Sequence, residues 1–180
     1  MNINVAGLLK DPVGSTRHYS ITEPVDMADT GLSLAGPLAA DLRLTRTSRG
    51  VLVEGSLSAT VAQVCSRCLE PAVSPMTVEV AEEFFQTLDM GSGASMKTPD
   101  EAKDDPAVLI DAHHEIRLDD LARQYLVAWA PMHPLCREDC AGLCPHCGAN
   151  LNQGTCACPS ETNGSGLAAL AALLKRNDGS

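Results

Sequence analysis

The sequence has few aromatic residues and few positive charges. Only five of its 180 residues are aromatic, namely one Trp, two Tyr and two Phe. Lys and Arg number 13 against 23 Asp and Glu, so the formal net charge is -10 at pH 7. Lys and Arg supply most of the non-specific affinity for nucleic acid, and aromatic rings hold unstacked bases. The composition therefore argues against a general polyanion binder.

The sequence also lacks the motifs of membrane proteins and of common enzyme classes. No run approaches the ~20 apolar residues of a membrane span. The opening MNINVAGLLKDPVG has no basic start followed by an apolar stretch of signal length. No G-x-S-x-G, P-loop or dinucleotide glycine pattern occurs. We therefore expect a soluble, cytoplasmic protein that has no catalytic residues and is not an enzyme.

Cysteine, by contrast, is abundant, and every cysteine belongs to a close pair. The eight cysteines form the pairs Cys65/Cys68, Cys136/Cys140, Cys144/Cys147 and Cys156/Cys158. Disulfides between such neighbours would not persist in a reducing cytosol, whereas closely spaced thiolates can converge on one tetrahedral zinc ion. Eight thiolates complete two four-sulfur sites. The sequence therefore predicts structural zinc as the cofactor.

The spacing of the pairs favours one division into two zinc sites. In Cys144-Pro-His-Cys147-Gly148, the glycine can adopt the positive φ that a tight turn around a metal requires. A short reversal then returns the chain, which gives a compact candidate site of Cys144, Cys147, Cys156 and Cys158. The second candidate site consists of Cys65, Cys68, Cys136 and Cys140. Alternatively, Cys136, Cys140, Cys144 and Cys147 form a local site, and Cys65 and Cys68 pair with Cys156 and Cys158 or stay free.

Three other chemical interpretations are weaker. A CxxC pair can act as a dithiol redox couple, but neither CxxC here opens a helix after a strand. His146 could replace a sulfur ligand, although eight cysteines already suffice. His113 and His114 stand beside Asp111 and Glu115, and an exposed histidine pair in an acidic loop is more common than a metal site.

Hydrophobic alternation predicts an antiparallel, strand-rich core. Apolar and polar residues alternate over residues 38–64 and again over 73–85. Gly55 and Ser56 interrupt the first region and predict a bend or a bulge. The first cysteine pair lies between the two regions, so we expect it at the tip of a hairpin.

The remaining segments are predicted from turn residues and helical spacing. Residues 1–37 lack periodicity and are expected to form a loosely structured arm with a short strand near Ser20 and Ile21. Glycine, serine and charge dominate residues 87–105, which predicts a mobile acidic loop. Three short elements follow: a strand at 107–110, a helix at 120–129 capped by Asp119, and a terminal helix over 167–174 capped by Ser165.

Together these elements predict an α+β fold in two parts. Residues 1–134 would hold the antiparallel strand-rich core, a short helix, the N-terminal arm and the mobile acidic loop at about 87–105. Residues 135–180 would hold the cysteine-rich, metal-stapled module and a short C-terminal helix.

Positive and negative charges are unevenly distributed along the chain. Residues 79–120 carry twelve acidic residues against three bases. Residues 41–68 carry two acids and the four candidate contacts for RNA or a protein partner: Arg43, Arg46, Arg49 and Arg67. A solvated strand face beside an acidic loop is the more ordinary explanation of this pattern.

Two long motifs resemble those of a known family. Residues 50–71 read GVLVEGSLSATVAQVCSRCLEP, and residues 116–152 read IRLDDLARQYLVAWAPMHPLCREDCAGLCPHCGANLN. This combination resembles the YceD family, the large ribosomal RNA subunit accumulation proteins, in its cysteine-rich bacterial version. The resemblance covers most of the chain. The chain departs from the family pattern at Gly164-Ser165-Gly166, where Asp-Pro-Arg would be expected before the last helix.

The resemblance implies a cytoplasmic, non-enzymatic ribosome-biogenesis factor that supports accumulation of large-subunit (23S) ribosomal RNA. Because the chain is acidic and poor in aromatic residues, contact with a ribosomal protein or an rRNA-processing factor is favoured over direct contact with RNA. The alternatives are a direct rRNA-binding protein that uses the four arginines and a thiol-redox or metal-dependent enzyme. No membrane and no small-molecule substrate is expected as a partner.

Overall fold

The computed structural model describes residues 1–28, 30–97, 100–102 and 105–158. The strands are β1 (Asn2–Asn4), β2 (Thr16–Glu23), β3 (Ser33–Leu34), β4 (Leu38–Arg46), β5 (Gly50–Val64), β6 (Pro71–Gln86), β7 (Leu109–Ile110) and β8 (Glu115–Arg117). The α-helices are α1 (Ala6–Lys10) and α2 (Leu118–Trp129), and single 3-10 turns lie at Asp100–Ala102 and Pro106–Val108.

Most strands belong to one sheet of six strands. Its order is β2-β4-β5-β6-β7, and β3 pairs with the far end of β5. Neighbouring strands are antiparallel except β7, which runs parallel to β6. A second, two-stranded sheet joins β1 to β8. The architecture confirms the predicted α+β class with an antiparallel strand-rich core.

The hairpin of β5 and β6 is the longest feature of the sheet. Its register runs without interruption from Gly50 opposite Phe85 to Val64 opposite Pro71. The fifteen residues of β5 span roughly 50 Å at ~3.3 Å per residue. The tip holds the first cysteine pair, as predicted. Of the bend or bulge expected at Gly55 and Ser56, the uninterrupted register excludes the bulge. A Cβ at Gly55 would lie 2.1 Å from the carbonyl oxygen of Asp41, so glycine lets the two strands approach closely.

One face of the large sheet packs into the hydrophobic core. The inward side chains of β4 and β5, among them Leu42 and Val53, alternate with exposed residues in β4 and with half-buried ones in β5, as the sequence pattern predicted. Both helices and the small sheet cover this inner face, so their apolar residues join the same cluster. Burying each such side chain contributes roughly 1.5–3 kcal/mol. The largest fully buried residues include Leu8, Leu38, Leu42, Leu44, Leu57, Phe84, Ile116 and Leu126.

The opposite face of the sheet stays accessible to solvent. We call it the open sheet face. It carries small polar and charged side chains from four adjacent strands, namely His18, Ser20, Asp41, Arg43, Glu54, Ser56, Ser58, Thr77 and Glu79. A shallow groove crosses it, lined by the backbone at Gly55 and by His18, Asp41, Arg43, Glu54 and Glu79. The fold thus separates a packed inner layer from a polar outer one.

The N-terminal segment contradicts the expectation of a loosely structured arm. It forms β1, α1 and β2, and it places Ile3, Val5 and Leu8 in the core. The strand expected near Ser20 extends over eight residues and pairs with β4. The order of this segment could not be predicted from the sequence, because β1 pairs with β8 more than a hundred positions along the chain. A three-residue strand is also too short to show a hydrophobic period.

Two smaller expectations near α2 are also wrong. Asp119 does not cap the helix, which begins at Leu118 without a side-chain cap; its carboxylate instead accepts hydrogen bonds from the Met1 amino group at 2.7 Å. The strand expected over 107–110 is confined to Leu109–Ile110, because a 3-10 turn occupies the preceding residues.

The predicted terminal helix and its Ser165 cap lie outside the described residues. The division into two domains and the mobility of the acidic loop stay predictions. Within the described part of the chain, no helix is long and apolar enough to cross a membrane.

Candidate metal centres

Four cysteines from distant parts of the chain meet at the tip of the long hairpin. Cys65 and Cys68 come from the turn between β5 and β6, and Cys136 and Cys140 come from the segment that follows α2. Three of the four are buried and Cys136 is exposed. Leu135, Leu143 and Ala72 pack around them and form a small apolar cluster separate from the main core. We call these four thiols the bridging cysteine group.

The sulfur atoms of the bridging group have the spacing of a tetrahedral metal site. The Sγ atoms of Cys65 and Cys140 lie 3.8 Å apart, and those of Cys68 and Cys136 lie 3.5 Å apart. Four thiolates at ~2.3 Å from a zinc ion would lie roughly 3.8 Å from one another. A disulfide would need about 2.05 Å, and all eight cysteines are free thiols. The donor set and its spacing therefore fit one tetrahedrally bound metal ion.

The other four cysteines meet within one short segment. Cys144, Cys147, Cys156 and Cys158 bring their sulfur atoms within 4.8 Å of one another. Cys144 is buried, whereas the other three are partly or fully exposed. We call these thiols the local cysteine group. Its donors also fit one metal ion, but it lies closer to solvent than the bridging group.

The two CxxC turns share one backbone geometry. In the first, the N–H of Cys65 donates to the carbonyl of Glu70 at 2.8 Å, and the N–H of Leu69 donates to the carbonyl of Cys65 at 3.0 Å. In the second, the N–H of Cys144 donates to Ala149 at 2.8 Å, and that of Gly148 donates to Cys144 at 2.9 Å. The residue after each CxxC has a positive φ, 63° at Leu69 and 72° at Gly148. The predicted positive φ at Gly148 is therefore confirmed.

Backbone N–H groups in both turns favour the thiolate form of the first cysteine. The N–H of Cys68 lowers the pKa of Cys65 to about 6, and the N–H of Cys147 lowers the pKa of Cys144 to about 6. The pKa of Cys136 is raised to about 12, chiefly because its S–H donates a hydrogen bond to the Cys68 sulfur, which stabilises the thiol form of Cys136. A divalent cation bound there would displace that proton, since ligating thiols are deprotonated.

Main-chain contacts hold the cysteine-rich segment against the hairpin tip. The N–H of Ser66 donates to the carbonyl of Pro134 at 2.8 Å, and a guanidinium nitrogen of Arg67 donates to the carbonyl of Cys140 at 2.9 Å. The N–H of Leu143 donates in turn to the carbonyl of Arg67 at 3.1 Å. The segment thus contacts the tip on both sides of the bridging group.

The structure brings the eight cysteines together in the division that their spacing favoured. Neither group follows the alternative in which Cys136, Cys140, Cys144 and Cys147 meet. His146 is exposed and belongs to neither group. Asp111 accepts hydrogen bonds from the backbone N–H groups of His113 and Glu115, which gives this carboxylate a role in the turn. That the eight thiols hold a metal ion stays a prediction.

The four candidate arginines do not lie on one surface. Arg46 and Arg49 lie at the β4–β5 turn, whereas Arg67 lies at the other end of the long hairpin. Arg43 pairs with Glu54 at 3.0 Å, and Arg49 pairs with Glu83 and stacks on Phe85. All four are therefore engaged within the chain, since the two remaining arginines bind backbone carbonyls: Arg46 those of Thr47 and Gly50, and Arg67 that of Cys140.

Sequence reasoning missed Asn152 as part of the site. Its side-chain Nδ2 donates to the sulfur of Cys140 at 3.3 Å, which lowers the pKa of that thiol. Asn152 lies in the loop that connects the two halves of the local group. The only signal was a polar side chain between two cysteine pairs, and asparagine is equally common in plain turns.

A family model and several relatives match the chain. The model described as large ribosomal RNA subunit accumulation protein YceD matches residues 53–174. This range contains all eight cysteines and the whole hairpin tip. No solved structure matches the chain.

The relatives include bacterial and plant proteins. An uncharacterized protein of Mycobacterium tuberculosis (strain ATCC 25618 / H37Rv) is 34% identical over 114 residues, which cover 63% of this chain and 51% of the relative. An uncharacterized protein of Mycobacterium leprae (strain TN) is 29% identical over 130 residues, or 69% and 56%. Large ribosomal RNA subunit accumulation protein YCED homolog 1, chloroplastic, of Zea mays is 27% identical over 166 residues, or 81% and 56%. The chain spans about half the length of these relatives.

Proposed function

The chain belongs to the YceD family of large ribosomal RNA subunit accumulation proteins, and from this premise we propose that it is a non-enzymatic factor that supports accumulation of large-subunit ribosomal RNA through contacts with proteins. The plant relative bears the same function in its name. The family name supports the role in rRNA accumulation. The reason for preferring protein contacts comes from the chain's own charges.

The engagement of the arginines within the fold carries the proposal. A protein that binds the phosphates of RNA needs accessible Lys or Arg side chains, which neutralise the phosphates and release their counterions. Here Arg46 and Arg67 bind backbone carbonyls, and Arg43 and Arg49 pair with glutamates. Binding to RNA would have to replace these contacts. Direct recognition of naked rRNA is therefore the less favoured route.

The open sheet face supplies a surface for a basic protein. Its groove contains the carboxylates of Asp41, Glu54 and Glu79 against Arg43 and one histidine. The whole chain carries a net charge of -10. Opposite charges accelerate encounter between two proteins and help to fix their orientation. A basic ribosomal protein or an rRNA-processing factor is accordingly the proposed partner, and Glu79 within the acidic 79–120 region is the side chain we expect to contribute most.

Two structural zinc ions form the second part of the proposal. The residues that would hold them are Cys65, Cys68, Cys136 and Cys140 in one group and Cys144, Cys147, Cys156 and Cys158 in the other. Four thiolates in tetrahedral array favour zinc over the harder divalent cations, which prefer oxygen ligands. Zinc bound by four cysteines has no open position for a substrate, so its contribution would be to hold the hairpin tip in shape. Free thiols in this number are typical of a reducing compartment, which supports a cytoplasmic location.

Competing binding measurements on the full chain test the proposal. Immobilised protein is offered isolated large-subunit rRNA in one experiment and purified large-subunit ribosomal proteins in another, both at physiological salt. We expect weak binding of rRNA and selective retention of a basic protein. The variant Glu79→Lys should reduce that retention several-fold, because it reverses a charge on the open sheet face. The control Glu138→Lys makes the same charge change in the cysteine-rich segment and should have little effect.

Arginine variants decide between the two routes. Arg43→Gln combined with Arg49→Gln removes two exposed positive charges without disturbing the carbonyl contacts of Arg46 and Arg67. Protein-mediated action predicts that retention of the basic partner is not reduced, because Arg43 lies in the groove of the open sheet face and its loss makes that surface more acidic. Tight, salt-sensitive binding to naked rRNA that this double variant weakens would instead establish direct RNA recognition.

A further inference from the structure

The two cysteine groups are connected by one side chain. Asn152 lies in the loop between the CxxC turn of the local group and the last cysteine pair, yet its Nδ2 donates to the sulfur of Cys140 in the bridging group at 3.3 Å. Its Oδ1 accepts a hydrogen bond from the backbone N–H of Ala141 at 2.8 Å. One residue of the local module therefore contacts a ligand atom of the other group and the backbone beside it.

Other contacts hold Asn152 in this position. Asn150 Oδ1 accepts hydrogen bonds from the backbone N–H of Asn152 at 3.0 Å and from its Nδ2 at 2.9 Å. A guanidinium nitrogen of Arg137 donates to Asn152 Oδ1 at 2.7 Å. The rotamer of Asn152 is thus fixed from both ends of its amide. It can hold Cys140 in place only while the loop of the local group is itself ordered.

Backbone hydrogen bonds repeat the connection on the other side of the local group. The N–H of Leu143, directly before Cys144, donates to the carbonyl of Arg67 in the first CxxC turn. The N–H of Leu151 donates to the carbonyl of Gly142 at 2.9 Å. The chain before Cys144 therefore contacts the first CxxC turn, and the loop after Cys147 contacts the segment that follows Cys140.

We propose that Asn152 couples the two cysteine groups, so that a metal ion bound in one raises the affinity of the other. The inference rests on the proposed binding of two zinc ions. Metal in the bridging group fixes the position of the Cys140 sulfur, so the acceptor of the Asn152 amide is held in one place. The amide then orders the loop that carries the local group, so binding of the second ion costs less conformational entropy. By linkage, metal in the local group favours the bridging site by the same factor.

The test compares zinc loading in the full chain and in two matched variants. Reduced, metal-free wild type, Asn152→Ala and Gln153→Ala are mixed with one equivalent of zinc per chain, and native mass spectrometry counts the chains that carry none, one or two ions. Gln153 is the exposed neighbour of Asn152 and serves as the control. We expect most chains of wild type and of Gln153→Ala to carry either no zinc ion or two zinc ions. In Asn152→Ala the singly loaded species should rise to about half or more, which is the statistical share without coupling.

A second measurement separates coupling from a local effect at Cys140. In a Cys65→Ser, Cys68→Ser background only the local group is complete, and its zinc affinity is measured against a chromophoric chelator. Coupling predicts an affinity about 5–150-fold below that of the second zinc ion in wild type. Adding Asn152→Ala to this background should lower it no further.

Three results would count against the inference. A wild type that fills both sites but shows the same singly loaded fraction as Asn152→Ala would overturn it while leaving the two-zinc proposal intact. The inference also fails if local-group affinity is the same with and without the bridging cysteines. A wild type that binds no zinc at all would refute the underlying two-zinc proposal instead.

Discussion

The two cysteine groups use the same turn but act over very different distances along the chain. The bridging group joins Cys65 to Cys140 and Cys68 to Cys136, across 75 and 68 positions. The local group closes within residues 144–158. Both begin with a CxxC turn whose backbone hydrogen bonds follow one pattern. The comparison shows that a CxxC turn can join distant parts of the chain or form the centre of a small module. Which of the two it does depends on where the second pair of cysteines lies in the sequence.

This difference has an energetic consequence. Closing a long loop removes more conformational entropy from the unfolded chain than closing a short one. Metal in the bridging group would hold the segment after α2 against the hairpin tip, whereas metal in the local group would order only its own loop. Loss of the bridging site should therefore affect the stability of the whole chain, and loss of the local site should affect mainly the cysteine-rich segment.

The largest effect is expected for Cys65→Ser combined with Cys68→Ser. These two thiols are the most buried pair among the eight, at 0% and 4% exposure, and the substitution opens the longer loop. We expect the free energy of unfolding to fall by about 3–5 kcal/mol, by analogy with other cross-links of similar loop length. Denaturant unfolding with and without a zinc chelator measures this. A chelator should destabilise wild type markedly and the double variant much less; an equal effect on both would show that this pair does not hold the metal.

A smaller and more local effect is expected for Cys144→Ser combined with Cys147→Ser. The local group contributes no residue to the main core, which has its own apolar face. The rate of backbone amide hydrogen exchange should increase over residues 141–158. It should remain slow in β4, β5 and β6. Loss of protection throughout the sheet, together with loss of near-UV and far-UV circular dichroism, would contradict a separable module.

The smallest effect concerns the residue after each CxxC turn. Leu69 has a φ of 63° and is 65% exposed. Its left-handed backbone is therefore strained, and its side chain makes few packing contacts that could offset this strain. Leu69→Gly should stabilise the chain by up to about 1 kcal/mol, because it removes the steric strain of a side chain at positive φ. Gly148→Ala should destabilise the chain by about 1 kcal/mol, because it introduces the same strain. Chemical denaturation of the zinc-loaded proteins measures both changes. Two shifts of the same sign would show that the turns are not equivalent.

Local spacing predicted much of the site. Each cysteine pair carries its own turn signal, so the division into two groups followed from the compactness of the CPHCG turn and the pair after it. The long hairpin was predictable because period-two alternation runs through both of its strands and the first cysteine pair separates them. Gly148 was predictable for the same reason: the requirement for a positive φ is set within five residues.

Long-range contacts were not predictable. The pairing of Arg43 with Glu54 depends on the exact register of β4 on β5, which one position of slip would abolish. The contact of Arg67 with the carbonyl of Cys140 depends on how a segment 73 positions away docks on the tip. The order of the N-terminal segment likewise depends on pairing between β1 and β8. Charge clusters that look like a binding surface in sequence can therefore be internal contacts in the fold.

Zinc content of the reduced, folded full chain tests the central claim most directly. The chain is purified under reducing conditions, and zinc and reactive thiols are counted together in wild type and in the two double-serine variants. The account predicts close to two zinc ions per wild-type chain, close to one in each variant, and release of zinc when the thiols are modified. A folded wild-type chain with no zinc and eight freely reactive thiols would contradict it.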